Sequence, residues 1–303
     1  MEYVLQTNAL CKHYRSFKAL NSLTMNIPKG SIYGFVGKNG SGKTTLIRLI
    51  SGLQPATSGD FTLYGVSNTS REISSVRRRM GAVVETPSIY MGMTAAENLR
   101  EQCRVVGLPS FDNVPELLEL VGLADTGKKK AKNFSLGMRQ RLGIALVMVG
   151  DPDFLILDEP VNGLDPQGII EIRELILKLN KECNITVLIS SHILDELSRL
   201  ATHYGFIDGG HMVKEISAGD LEKACRKAIH VEVSDIKAMA RALDSINVDY
   251  SVTGESSADL FTKMSATRLI NAISLENCEV FTMSERDESL ESYFVNLVGG
   301  ERK

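Results

Sequence analysis

Apolar and polar positions along this 303-residue chain follow two periods, one of strands and one of helices. Residues 1–36 read as short strands, with a turn signal at Pro28-Lys29-Gly30 and a compact apolar run at 31–36. Further short strands are predicted at 59–64 and 81–84. From about 93 to 149 strand signals vanish and helical periodicity takes over, with breaks near Gly107-Leu108-Pro109 and Gly122. Strand 154–157, helix 166–182, strand 185–190 and helix 193–200 then alternate, the pattern of a parallel sheet covered by helices. The paired glycines of Asp208-Gly209-Gly210-His211 suit a tight hairpin turn.

Ser217-Ala218-Gly219-Asp220 marks a candidate boundary between a first domain, 1–216, and a second, 217–303. The second reads as strand 228–233, helix 235–245, strands 248–252 and 258–262, helix 265–275, strand 279–283 and helix 287–298. That is a βαββαβ order with a trailing helix, compatible with a small ferredoxin-like α+β domain. Two domains also suit the length.

A hydrophobic share of 43% is ample for packed cores, and 34 basic residues against 37 acidic ones give no global charge that would seek nucleic acid. The five cysteines lack a Cys-x-x-Cys pair and the five histidines lack ligand spacing, as expected of reduced thiols in a cytosol. The opening residues lack the basic-then-apolar layout of a signal peptide. No run reaches the ~20 apolar residues of a membrane helix. The expectation is an intracellular chain that needs another chain to span a membrane.

The chemistry begins at Gly37-Lys38-Asn39-Gly40-Ser41-Gly42-Lys43-Thr44-Thr45, between the strand at 31–36 and a helical pattern opening at Leu46. Gly37, Gly40 and Gly42, with Asn39 and Ser41 between them, let successive backbone N–H groups converge on phosphate oxygens at a helix N-terminus. Lys43 is placed to reach the β- and γ-phosphates of a nucleoside triphosphate, and Thr44 to ligate Mg²⁺. Asp158 and Glu159 end an apolar strand, where a parallel sheet delivers side chains to its carboxyl edge. One carboxylate holding Mg²⁺ and a neighbour polarising a water is the minimum for hydrolysis. His192 follows the strand 185–190 and reaches the same edge.

A second motif, Phe134-Ser135-Leu136-Gly137-Met138-Arg139-Gln140-Arg141, opens another helix. Together these residues resemble the ATP-binding subunits of ABC transporters over roughly residues 1–216. The resemblance implies an α/β fold, an ABC-type P-loop ATPase with a mixed sheet core and a helical subdomain at about 87–150. It implies ATP and Mg²⁺ as cofactors, hydrolysis with Glu159 as general base, and His192 as the switch histidine. It makes Tyr14 the aromatic that stacks on adenine and places Asp165, in Gly163-Leu164-Asp165-Pro166, in the D-loop. Ser135, Gly137 and Met138 become the signature that closes, in a head-to-tail homodimer, over the partner's ATP. A separate transmembrane permease is the implied partner, which places the chain in the cytoplasm, peripheral on the inner face of the cell membrane. The loop Ile89-Tyr90-Met91 reads either as the permease contact or as an ordinary packed loop. Lys128-Lys129-Lys130 and Arg77-Arg78-Arg79 read as solvated faces or as sites for acidic lipid headgroups.

Two departures narrow the resemblance. Leu136 and Met138 replace the first glycine and the glutamine of the usual signature, while Ser135 and Gly137 remain. Glu85 stands where the family usually has glutamine, which predicts a third carboxylate near Asp158, Glu159 and the metal, with catalytic and metal-binding roles. Both departures resemble the bacitracin- and lantibiotic-resistance branch of exporters. A soluble ABC-type ATPase acting on translation or DNA is the alternative, disfavoured by a single nucleotide domain and the absence of a basic surface. A catalytically dead sensing module is disfavoured by intact Lys43, Asp158, Glu159 and His192. The C-terminal domain carries no recognisable chemistry; the resemblance of its ending, Ser289-Leu290-Glu291-Ser292-Tyr293-Phe294, suggests regulation or dimer bracing.

Overall fold

A computed structural model describes residues 2–225, 228–262, 264–286, 293–294 and 297. Strands β1 (Tyr3–Tyr14) and β2 (Phe17–Pro28) form a hairpin closed by Arg15-Ser16, and β1 also pairs with β4 (Ser58–Leu63), which turns into β5 (Val66–Ser67). Where short strands were expected, the hairpin arms are 12 residues each. Bulges account for the difference: Ala9 and Ser22 sit at positive φ near register shifts, which breaks the period-two signal without ending the strands.

The second sheet has six strands in the order β10-β9-β3-β8-β7-β6. Its central members, β3 (Ile32–Val36), β7 (Phe154–Asp158) and β8 (Thr186–Ser191), are buried at every position and run parallel. Such unbroken apolar runs belong in a sheet covered on both faces. The edge strands are β6 (Met80–Val83) on one side and β9 (His203–Asp208) with β10 (His211–Ser217) on the other. Gly209 and Gly210, at φ 53° and 82°, form the two-residue turn between β9 and β10.

Helix α1 (Lys43–Ile50) buries Leu46, Ile47, Leu49 and Ile50 in one core with Leu5, Met25 and Ile27 of the hairpin and Phe154 and Leu188 of the mixed sheet. The short α2 (Ile73–Val76) precedes β6. Helices α3 (Ala95–Val106), α4 (Val114–Leu120) and α5 (Leu136–Met148) pack on one another between β6 and β7. Thr94 and Glu97 cap α3 reciprocally, each side chain accepting from the other's backbone N–H. Arg141 of α5 donates to the carbonyls of Val121 and Gly122 at 3.0 Å, fixing the end of α4. α6 (Pro166–Cys183) and α7 (Leu194–Ser198) complete this part; α7 is shorter than the predicted 193–200.

The chain divides into two compact units, Met1–Ala218 and Gly219–Lys303, with α8 (Ala218–Ala224) at the division. In the second unit, β11 (Ala228–Val233), α9 (Ile236–Ser245), β12 (Asp249–Val252), β13 (Ser257–Phe261), α10 (Ala266–Leu275) and β14 (Val280–Arg286) form an antiparallel sheet in the order β12-β13-β11-β14. That strand order with two helices is the ferredoxin-like arrangement. The predicted helix 287–298 lies mostly outside the described residues. Leu260 of β13 is fully buried among Val231, Met239, Leu243 and Ile273. Leu260→Ala is therefore expected to destabilise this unit by about 2–5 kcal/mol, read as a lower urea midpoint at an unchanged slope. A loss under about 1 kcal/mol would contradict this packing.

Candidate functional site

Strand register assembles the site. Val36 lies opposite Ser191 across the β3–β8 pair, and Asp158 lies opposite Ser190 across β7–β8. Three parallel strands thus end at one level, delivering the phosphate loop, the two carboxylates and His192 to a single edge. Gly42 caps α1 at φ 113°, a conformation open to glycine, and a Cβ there would meet the Ala19 carbonyl oxygen at 2.6 Å. A Cβ on Gly37 would meet Ser41 Oγ at 2.5 Å. The loop is folded too tightly for side chains at either point.

A cavity of about 280 Å³ opens here, lined by Asn39, Gly40, Gly42, Lys43, Thr44 and Thr45 of the loop. Glu159, Asn162 and His192 line it from the sheet edge, and Phe17 and Ala19 from the hairpin. Lys43, only 6% exposed, donates to the Gly37 carbonyl at 2.6 Å and lies 3.3 Å from Glu159 Oε1. The other Glu159 oxygen lies 2.7 Å from His192 Nδ1. An ionised carboxylate only accepts, so Nδ1 carries the proton and Nε2 is left for a further partner. Glu159 itself is held at φ 49°, a strained setting for a non-glycine residue.

Asp158 is buried, and its Oδ1 accepts from Ser190 Oγ at 2.5 Å. Ser190 Oγ also accepts from the Glu159 backbone N–H at 3.0 Å, so one hydroxyl aims both acidic residues.

These residues fit a triphosphate and its cation. Ser41 Oγ is buried in the loop and finds no hydrogen-bond partner among the described residues, a donor that a phosphate oxygen would satisfy. Lys43 rests its ammonium on a carbonyl of its own loop and beside Glu159, and a phosphate would replace the carbonyl with an anionic acceptor. Among the described residues no group of three His, Cys, Asp or Glu is placed to hold a metal. Mg²⁺, which takes one or two protein carboxylates and completes its shell with phosphates and water, needs no such group. Thr44 and Asp158 would hold it.

Two expectations differ from what the structure brings together. Glu85 does not line the cavity: its carboxylate pairs with Arg48 Nη2 at 2.5 Å, so its charge partner is a guanidinium rather than Asp158 or Glu159. Tyr14 does not line it either, because its hydroxyl donates to Gln54 and Lys12 sits 5.2 Å over its ring. Phe17, across the turn from Tyr14 and 61% exposed, faces the cavity instead. Asp165 caps α6 through Gly168 N–H at 3.2 Å. Ser135, Gly137 and Met138 lie outside this cavity, with Ser135 Oγ accepting from Met138 N–H at the start of α5. Phe17, Asn162 and Ser190 are the additions that residue patterns did not single out.

The fold and this edge define a P-loop ATPase of the ATP-binding-cassette type. Residues 20–162 match the ABC transporter family model. The chain is 41% identical to the bacitracin transport ATP-binding protein BcrA of Bacillus licheniformis over 303 residues, 99% of each chain. It is 41% identical to the lantibiotic transport ATP-binding protein SrtF of Streptococcus pyogenes over 212 residues, covering 70% of this chain and 90% of SrtF. The solved structure of cbiO1 from Clostridium perfringens, part of the ABC transporter complex cbiONQ, superposes with a TM-score of 0.66 at 27% identity. It covers 74% of this chain and 92% of cbiO1. The chain belongs to the ABC transporter family, as an ATP-hydrolysing, ATP-binding subunit.

Loss of an outer hydrogen-bond partner typically costs about 10–100-fold in metal affinity or activity. Ser190→Ala is expected to lower ATP turnover by about that factor at saturating nucleotide, and a parental rate would remove Ser190 from the positioning of the two acidic residues.

Proposed function

We propose that this chain is the motor of a membrane exporter that clears antimicrobial peptides or drugs. It works as a homodimer bound to a separate transmembrane permease on the inner face of the cell membrane. What supports this most is the match to BcrA along the whole chain, with Glu85 and Ser135-Leu136-Gly137-Met138 pointing to the same branch. Among the described residues no helix is long and apolar enough to cross a membrane, so the span falls to another chain. Tyr90 and Met91, 55% and 41% exposed, supply an apolar contact for it.

In this reading the loop amides, Ser41 and Lys43 hold the phosphates, and the exposed ring of Phe17 is the platform for the base. Mg²⁺, when bound, would supply charge neutralisation, with Thr44 and Asp158 as the residues that would hold it. As Lys43 turns from Glu159 to phosphate, Glu159 gains a free oxygen with which to take a proton from water. As an imidazolium, with both ring nitrogens protonated, His192 keeps its Nδ1–H on the other oxygen and donates Nε2–H to the γ-phosphate. Ser135, Gly137 and Met138 of a second copy close the site at a helix N-terminus. Departure of the γ-phosphate then removes the contact that holds the pair shut.

A positioned general base is worth about 10²–10⁴-fold. Glu159→Gln is accordingly expected to bind ATP, dimerise and turn over at least a hundredfold more slowly, checked by phosphate release and sizing. Near-parental turnover would reassign the base. Tagged Glu159→Gln protein purified from native membranes with Mg·ATP should bring a polytopic partner with it. Recovery only as a soluble dimer would favour a non-transport ATPase. Base–aromatic stacking is worth about 1–3 kcal/mol, so Phe17→Ala should weaken ATP binding about tenfold and Tyr14→Ala much less. The reverse ranking would return the platform to Tyr14.

A further inference from the structure

The fold puts the three lysines of Lys128-Lys129-Lys130 in three different settings. Lys130 pairs with Thr94 through an isolated β-bridge and lines a cavity of about 370 Å³ with Glu97 and Glu101. Lys128 is exposed. Lys129 is fixed at its backbone, where its N–H donates to the Thr126 carbonyl at 2.9 Å. Its side chain turns to the start of α5, with the ammonium 3.9 Å from Met138 Sδ and 5.8 Å from the ring centroid of Phe134.

Neither neighbour neutralises that charge. A thioether is a weak acceptor, and an aromatic face attracts a hydrated ammonium only weakly. Among the described residues no carboxylate lies within ion-pair distance of Lys129. The first turn of α5 carries no acidic residue either. Arg139, the cation of that turn, is committed to the carbonyls of Ala131 and Lys132 at 3.3 and 2.9 Å. A positive charge without a counter-charge is therefore tethered to Met138, whose backbone N–H Ser135 Oγ accepts.

We propose that Lys129 is a further nucleotide-binding residue that acts in trans, its ammonium meeting the triphosphate of a second copy as Ser135, Gly137 and Met138 close over it. The proposal deepens the homodimer reading above and rests on it. Lys129 does not line the cavity that takes the chain's own nucleotide, so its charge serves the partner's. The contacts with Met138 and Phe134 hold the ammonium in place, and a triphosphate is a far stronger acceptor than either. An exposed charge pair shifts an equilibrium by up to about fivefold. About threefold per site, at the two sites of a two-fold dimer, gives roughly tenfold in the dimer Kd.

The test is dimerisation of the full-length Glu159→Gln chain at saturating Mg·ATP, read as a dimer Kd by analytical ultracentrifugation at low and high salt. Binding of a fluorescent ATP analogue to the dilute monomer is measured beside it. Adding Lys129→Met, which keeps an apolar stem on Phe134 and removes the charge, is expected to raise the dimer Kd roughly tenfold at low salt. At about 0.5 M salt the rise should shrink, since exposed charges are screened, and monomer binding should not move. Lys128→Met is expected to leave the dimer Kd where it was. An unchanged Kd in Lys129→Met, an equal rise in Lys128→Met, or weaker nucleotide binding by the Lys129→Met monomer overturns the proposal. So does a rise that salt does not shrink, because it marks packing rather than charge. A Glu159→Gln chain that stays monomeric at every ATP concentration overturns the homodimer reading itself, and the proposal with it.

Discussion

The hydrogen-bonded register of β3, β8 and β7 is the constraint on which the site depends. Because Val36, Ser191, Ser190 and Asp158 stand at one level, the residues that follow each strand share one edge. A slip of one residue in either ladder would turn alternate side chains to the opposite face and separate Asp158 from Ser190. The unbroken burial of all three strands resists such a slip, since helices and the hairpin cover both faces with apolar side chains. Stability and site geometry therefore come from the same packing.

At that edge the charges are arranged in a chain. Lys43 touches Glu159, and Glu159 touches His192, with Gly37 and Ser190 supplying the flanking hydrogen bonds. A buried ammonium and a partly buried carboxylate satisfy each other, and that mutual satisfaction is what an incoming phosphate disturbs. In the proposed mechanism the group that binds substrate thus also guards the base. Glu85 and Arg48 form a second carboxylate–cation pair on the flank of α1, outside this edge.

Much of this is legible in the residues themselves. Glycines at 37, 40 and 42 followed by Lys43 and Thr44 have one plausible use, and acidic residues after an apolar strand mark the edge of a parallel sheet. The βαββαβ order beyond 218 follows from alternating periods. What escapes such reading is contact between distant segments. Tyr14 and Phe17 flank one two-residue turn, and a residue 40 positions away, Gln54, holds the tyrosine while the phenylalanine faces the cavity. Glu85 belongs to the sheet edge by sequence, yet it is claimed by Arg48, 37 residues earlier, on the side of a helix. Ser190 looked like a strand end and is the hydroxyl that orients both Asp158 and Glu159.

The central claim is that phosphate replaces Glu159 and Gly37 as the partner of Lys43. A structure of the parental chain with Mg²⁺ and a non-hydrolysable ATP analogue tests it most directly. The account predicts Lys43 Nζ on the β- and γ-phosphate oxygens, clear of the Gly37 carbonyl on which it rests at 2.6 Å, with Ser135 of a second copy on the same γ-phosphate. Lys43 still bound to Gly37 and Glu159, with the nucleotide elsewhere, would contradict it.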